Sequence, residues 1–484
     1  MRLTFARRMG ALLALFLASA IACPAAESTT PPLPRIRVAD DGRGFVTADG
    51  RPWVPFGVNY YRPGTGWAPQ VWKQFDADAV RRDFKKLRGL GATCVRVFLT
   101  YGSFLQEPGV LHPEGWAKLD QFLTLAEEQG LYVHPTGPDH WEGLPEWARA
   151  DRISDPQVLD ALEAFWTELA TRLRHRSVVF AYDLLNEPEV PWDTRPLRQR
   201  WNQWLTDRYH TQSELTNAWK RSDSPALGQI PPPPEEDALL DPRLLDFQRF
   251  REDLAEDWTR RQAAAIRRAD PQALVTVGLI QWSVPVVLAH VRHYSGFRPS
   301  RQAPHLDFLS FHFYPLAEGA YRYGGAEEEQ QNLIYLETLA REHARWGKPV
   351  VIGEFGWYGG GLPRSFGQGS PASEEDQARW CRQVVTRTRG LVQGWLNWGF
   401  HDQPEATDVS QFTGLLRADG TPKAWAGQFE MLARDLAANP PHRPVLDPQD
   451  AVVSDLDRHW DRLITSRAEV DAFRRHLYRV ASPP

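Results

Sequence analysis

The sequence predicts an α/β protein, a (β/α)8 TIM barrel with a long insertion after strand 4 and a C-terminal helical tail. Three observations carry this expectation. Eight short apolar, β-branched runs recur along the chain, amphipathic stretches lie between them, and successive runs start about 40 residues apart. The runs begin near Val54 (VPFGVNY), Thr93 (TCVRVFL), Leu131 (LYVHP), Val178 (VVFAYDLL), Leu274 (LVTVGL), Leu306 (LDFLSFHFY), Val350 (VVIGEF) and Val392 (VQGWLNW).

Taken from the N-terminus, residues 1–22 read as an export signal. Arg2, Arg7 and Arg8 precede Ala11 to Ala22, an apolar run too short to span a bilayer and ending in small residues. Cleavage after Ala22 places the protein outside the cell or in a periplasm; a lipid anchor at Cys23 is the alternative. Residues 23–49 are expected to be a linker and lead-in, with Ser, Thr and Pro concentrated between Glu27 and Pro34.

The barrel is assigned to residues 50–437. Its first helix is expected over Ala79 to Leu90, where Val80, Phe84, Leu87 and Leu90 share one face and Gly91 supplies the stop. Leu119, Phe122, Leu123 and Ala126 repeat the pattern before Gly130. The gap after the fourth run is nearly 100 residues, and the excess holds Trp192, Trp201, Trp204, Trp219 and Pro231 to Pro234. A connection leaving the fourth strand emerges on the face where such barrels work, so this insertion is expected to wall the cleft, its Trp rings able to stack on sugars. Residues 438–484 form the tail, helical from about Ala451 to Val480, with Val452, Leu456, Trp460 and Leu463 against the barrel exterior.

Composition narrows the function. With 42% hydrophobic and 24% charged residues among 484, the chain is an ordinary globular protein rather than a disordered one. A formal charge of −5 gives no reason to expect nucleic acid as a partner. Three Cys cannot build a disulfide framework, and no second apolar run is long enough for a membrane span. Twenty Trp suit a ligand with flat apolar faces, such as a sugar ring.

The strongest chemical signals are two glutamates. Leu184-Leu185-Asn186-Glu187-Pro188 closes the fourth run and Ile352-Gly353-Glu354-Phe355-Gly356 the seventh. A barrel gathers reactive groups at the C-terminal ends of its strands, and a Glu ending an apolar strand is poorly placed for a solvated role. Two such carboxyls suit glycoside hydrolysis: one protonates the leaving oxygen while the other, about 5–5.5 Å away, attacks the anomeric carbon.

On these motifs the chain resembles the retaining glycoside hydrolases of clan A, most like family 5, the cellulase and β-mannanase family, over roughly residues 50–430. The resemblance implies Glu187 as acid/base and Glu354 as nucleophile. It implies that Arg96 in CVRVF bonds the nucleophile and that Asn186 bonds the sugar 2-hydroxyl. His312 and Tyr314 in FHFYP would flank the acid/base and the nucleophile, and Trp398 in LNWGF would lie under the reacting sugar. The family's third-strand histidine corresponds to His134 or His140, and the spacing does not choose. Trp67, Trp141, Trp282 and Trp357 are candidate sugar platforms on the strand-to-helix loops. The fourth-strand insertion departs from a typical family 5 cellulase, and RYHTQSELTNAW within it loosely resembles the family 42 β-galactosidases.

No cofactor and no metal is expected: Asp139 and His112 near His134 and His140 lack any recognisable metal-ligand spacing. Gly359-Gly360-Gly361 lacks the Lys and Ser/Thr of a phosphate loop and reads as a flexible rim. The expected substrate is a β-linked poly- or oligosaccharide, β-mannan before β-glucan. A β-galactosidase-like exo-enzyme and a carbohydrate-binding pseudoenzyme are the alternatives.

Overall fold

The computed structural model describes residues 32–64, 70–234, 242–285, 294–315, 321–367, 369–442 and 451–481. The export signal, Cys23 and Trp67 lie outside the described residues. Three short strands come first: β1 (Ile36–Val38), β2 (Phe45–Thr47) and β3 (Pro52–Trp53), paired antiparallel in that order. Eight more follow: β4 (Phe56–Asn59), β5 (Cys94–Thr100), β6 (Tyr132–Asp139), β7 (Tyr182–Asn186), β8 (Val275–Leu279), β9 (Leu309–Phe313), β10 (Val350–Phe355) and β11 (Gly394–Asn397). Each begins within one of the eight apolar runs, and β6 continues four residues past its run to Asp139. They pair in parallel in chain order, and β11 returns to β4 through Trp395 and Phe56 to close the barrel. Parallel strands under a helical layer are buried on both faces, which is why they read as continuous apolar runs.

The helices end as their sequences dictate. The first long one, Ala77–Gly89, starts on an Asp76 side chain that accepts from the Ala79 amide, and Gly91 follows at φ 84°. The next, Pro113–Gln129, stops at Gly130 in the left-handed region.

The lead-in is more than a linker. Ile36 and Phe45 pack with Cys94, Tyr132, Phe180, Leu274, Phe308, Val351 and Leu396, residues at or near the N-terminal ends of the barrel strands. Phe45 meets the rings of Phe180 and Phe308 edge-on, both at 5.2 Å between centroids. The small sheet therefore stoppers the bottom of the barrel.

The insertion folds into helices Arg195–Tyr209 and Gln212–Trp219 against the N-terminal half of helix Pro242–Ala269. That last helix has 28 residues, about 42 Å at 1.5 Å per residue. Only its C-terminal half pairs with the neighbouring barrel helix, through Trp166–Gln262 and Arg261–Glu163 contacts. Two of the insertion's tryptophans are not sugar platforms, contrary to expectation: Trp201 and Trp219 are buried and form the insertion's own core. Trp192 and Trp204 are half-buried against it, and the indole N–H groups of Trp192, Trp204 and Trp219 donate to Pro233 O, Asp253 and Asp246 at 2.7–2.8 Å.

The tail is two helices, Ala451–Leu463 and Arg467–Ala481, rather than one. Leu456, Trp460 and Leu463 are buried as expected. Trp460 donates to Glu252 at 3.0 Å, and Gln248 Nε2 donates to the Ile464 carbonyl at 2.8 Å, so the tail grips the long helix. Among the described residues no helix is long and apolar enough to cross a membrane.

Candidate active site

Asn186, Glu187, His312, Tyr314, Glu354 and Trp398 stand at or just past the C-terminal ends of barrel strands, and Arg96 on β5 bonds two of them, Asn186 and Glu354. Its guanidinium is fully buried. Nη1 donates to Glu354 Oε1 at 2.6 Å and to Asn59 Oδ1 at 2.8 Å. Nε and Nη2 both reach Asp183 Oδ2, at 3.0 and 2.8 Å, and Nη2 also donates to Asn186 Oδ1 at 2.9 Å and Thr136 Oγ1 at 3.2 Å. A guanidinium cannot lose its proton at working pH, so burying it obliges the barrel to supply carboxylates. It has two, Asp183 and Glu354.

Glu354 sits on β10 with its side chain 4% exposed. Tyr314, just beyond β9, donates its hydroxyl to Oε2 at 2.9 Å, while its own amide donates to Gln281 Oε1 at 2.9 Å. Burial, helped by the neighbouring Glu187, holds the Glu354 carboxyl above its ordinary value, and the Arg96 charge and the Tyr314 hydrogen bond oppose that rise. Both oxygens thus accept charge-assisted or phenolic hydrogen bonds, which favour the ionised form.

Glu187 follows β7 directly and is held at φ 48°, a left-handed conformation uncommon for a residue with a side chain. Its amide donates to Gly278 O at 2.8 Å, which fixes the turn that lifts the side chain off the strand end. Burial pushes this carboxyl up to about 7, against the pull of Arg96 and with help from Glu189 and Asp139. His312 Nδ1 lies 3.0 Å from Glu187 Oε1 and 3.6 Å from Glu354 Oε1. Burial lowers His312 to about 4, so the ring is neutral and its Nδ1 can exchange a hydrogen bond with Glu187 without competing for its charge. The ring fits because two neighbours have no side chain: a Cβ at Gly278 would come within 2.7 Å, and one at Gly353 within 3.0 Å, of His312 Nε2.

One oxygen of Glu187, one of Glu354 and a nitrogen of His312 lie within 4.8 Å of one another. Oxygens this close suit a carboxylate that attacks directly beside its proton donor, whereas the carboxyl groups of an inverting pair stand roughly 6.5–9.5 Å apart to admit a water. The same three groups are of metal-ligating type. Arg96, 2.6 Å from Glu354, already provides a positive charge there. Asp139 and His112 are not brought into such a group among the described residues.

The remaining expected residues divide. Asn186 ends β7 with its Oδ1 on Arg96, leaving the Nδ2 donors for a ligand. Trp398 is 5% exposed, its indole N–H on Ser410 Oγ at 2.9 Å and its ring edge-on to Phe98. His140 and Trp141 stand at the rim past β6, rings stacked at 4.5 Å, with His140 Nδ1 2.7 Å from Asp139 Oδ1. His134, the other candidate, is fully buried among Phe180 and Phe308 with Nδ1 on Ala181 O, toward the stoppered end. Trp282 is half-buried and donates its N–H to Glu189. Trp357 is packed against Tyr321, Tyr358 and Phe366 and offers no face to a ligand. The three-glycine segment is a tied loop, not a flexible rim. The Gly360 and Gly361 amides donate to Ala372 O, and Gly359 O accepts from Lys423 Nζ at 2.7 Å.

The family Cellulase (glycosyl hydrolase family 5) matches residues 47–402, which include all eight barrel strands and every side chain bonded to Arg96. The chain belongs to glycosyl hydrolase family 5. Among solved structures, this family 5 chain is similar to a GH5_18 enzyme of Streptomyces cattleya held with Manβ1-4GlcNAc. That pair is 21% identical, covers 89% of this chain and 92% of the other, and has a TM-score of 0.60. An exo-β-1,4-mannosidase of Opitutaceae bacterium strain TAV5 is 20% identical over 83% of this chain and 62% of its own, with a TM-score of 0.60. A β-galactosidase of Marinomonas ef1 is 17% identical over 79% of this chain and 59% of its own, with a TM-score of 0.62. At these identities the likeness is one of fold. A curated β-xylosidase of Phanerodontia chrysosporium is 31% identical over 129 residues, which span 25% of this chain and 26% of that relative.

In this family 5 site, sequence reasoning missed Asn59, Thr136 and Asp183. Asp183 is the most informative omission, because it both pairs with Arg96 and accepts the Gly278 amide at 2.8 Å. Its signal was a single charge inside the apolar run VVFAYDLL.

Proposed function

We propose that this family 5 chain is an exported retaining β-glycosidase that cleaves β-linked oligosaccharides by double displacement. Glu187 is its acid/base and Glu354 its nucleophile. The observation that carries the reading is the pair itself: two carboxyl groups with an oxygen of each within 4.8 Å, one raised to about 7 and one bonded by Arg96 and Tyr314. Glu354 attacks the anomeric carbon as Glu187 gives its proton to the departing oxygen. Glu187, now ionised, then takes a proton from the water that releases the sugar from Glu354. Asn186 Nδ2 bonds the 2-hydroxyl, and Trp398 floors the reacting ring.

A mannosyl substrate is favoured over a glucosyl one. The support is that two of the similar folds are an exo-β-1,4-mannosidase and an enzyme held with Manβ1-4GlcNAc. The β-galactosidase fold and the β-xylosidase relative support the second reading, another β-glycoside cleaved from a chain end. The insertion, which leaves the strand that precedes Glu187, would wall the leaving-group side and favour short chains over internal polymer bonds.

Aryl β-mannoside, β-glucoside, β-galactoside and β-xyloside assayed beside polymeric mannan test these claims together. Turnover is expected on the mannoside, with monomer or dimer released from oligosaccharides from the first time points. A ladder of mixed lengths would refute the walled cleft. No turnover on any β-glycoside would replace the enzyme with a carbohydrate-binding protein.

A further inference from the structure

Arg96, Tyr314 and His312 beside Glu354 are accounted for by the chemistry above. Glu189, two residues past Glu187, is not. It is exposed, no described Lys, Arg or His lies within 4.0 Å of it, and its Oε1 accepts the indole N–H of Trp282. Trp282 follows β8, the strand beside β7, so both side chains stand on the Glu187 side of the mouth.

We propose that Glu189 and Trp282 form a leaving-group subsite: the carboxylate fixes the indole, which stacks on the departing sugar, and accepts a hydrogen bond from one of that sugar's hydroxyls. The proposal rests on Glu187 being the acid. The indole N–H is the only polar group of a Trp side chain, so once Glu189 takes it the rest of the ring is apolar surface. An apolar ring face beside a hydrogen-bond acceptor matches a pyranose, which presents C–H groups on its face and hydroxyls at its edge.

The described parts of the loops that bear the pair are laced in place. The Ser295 amide donates to Trp282 O at 3.2 Å, and the Val190 amide donates to Ser295 O at 2.9 Å. Arg251 Nη1 donates to Tyr294 O at 2.9 Å and its Nη2 to Val190 O at 2.6 Å. A Cβ at Gly296 would come within 2.9 Å of Val190, so the two loops are in direct contact. This is a preorganised surface, which lowers the ordering cost of binding.

The charge has a second effect. Glu187 is faced by Arg96 from β5, Asp139 from β6, His312 from β9, Glu354 from β10 and Glu189 from its own loop. Of these, Glu189 and Asp139 help Glu187 keep its proton against Arg96.

The test compares a disaccharide with the glycosyl fluoride of the same non-reducing sugar, which has no leaving sugar to bind. Glu189→Ala and Trp282→Ala should each lower kcat/KM on the disaccharide about tenfold, through KM more than kcat, and leave the fluoride within about twofold. The double variant should lose less than the product of the two single losses, because Glu189 acts in part through the indole it holds. Glu189→Gln, which keeps an acceptor for the indole, should hold most of the disaccharide rate while the basic limb of the pH profile moves to lower pH. Equal losses on both substrates, no loss on either, additive losses in the double variant, or an unmoved basic limb would each overturn the proposal. Glu187→Ala assayed alongside separates the two readings. If it lost kcat/KM on the fluoride as well, a parameter that stops at formation of the glycosyl-enzyme, the acid assignment would fall, whereas a disaccharide-only loss in Glu189→Ala would still uphold the subsite.

Discussion

Glu187 and Glu354 are the same side chain at the ends of two barrel strands, and they are treated differently. Glu354 is 4% exposed and takes hydrogen bonds from Arg96 and Tyr314 at 2.6 and 2.9 Å. Glu187 is 28% exposed, bonds a neutral histidine, and has Glu189 and Asp139 among its neighbours. Burial raises both. What separates them is the supply of donors: Arg96 and Tyr314 stabilise a negative charge on Glu354, and nothing comparable stabilises one on Glu187. A barrel that aims one buried guanidinium at one of two carboxyls has thereby assigned the proton to the other.

The comparison breaks most visibly if the nucleophile is removed. Glu354→Ala should lower turnover at least about 10⁴-fold on every substrate, and azide should restore part of it as the α-glycosyl azide. Recovery of the β-azide, identified by NMR of the product, would exchange the two roles.

Glu187→Ala should cost about 10²–10⁴-fold on a disaccharide but far less on an aryl glycoside with a good leaving group, which needs little protonation. In the parent enzyme Glu187 must hold its proton, so kcat/KM on the disaccharide should fall as pH rises through about 7. A basic limb unchanged in Glu187→Ala on the aryl substrate would assign that ionisation to another group.

The smallest effect concerns stability. Folding lifts Glu187 from 4.5 to about 7, so between these values the folded chain holds a proton that the unfolded chain has released. Stability is therefore lost as pH rises across that window. Glu187→Gln removes the cost and should raise the melting temperature more at pH 8 than at pH 4, by an amount equivalent to about 3 kcal/mol. An equal shift at both pH values would show that Glu187 is not raised.

The eight barrel strands were legible because burial on two faces leaves a contiguous apolar run, and the two glutamates because each ends such a run. The three strands of the N-terminal stopper were not, being two or three residues long and too short to show a period. The insertion's tryptophans misled for a different reason. Residue type says that a ring wants a flat apolar partner; only the fold says whether that partner is Phe247 or a sugar. Asn59 and Asp183 escaped notice because their partner, Arg96, lies 37 and 87 residues away and meets them only when the barrel closes. His134 and His140, six positions apart on one strand and its exit, were separated by depth, which spacing does not encode.

The tail has a consequence in the order of synthesis. Gln248 spends its Nε2 donor on the Ile464 carbonyl and presents Oε1 to Arg251 at 2.6 Å, and Arg251 in turn fastens Val190 and Tyr294. The chain that leaves the fourth barrel strand is thus secured by a residue whose own neighbour waits for position 464. The last barrel strand ends at Asn397, so the eight strands are complete before that residue is made, and the rim beside Glu187 acquires this brace only once position 464 has been added.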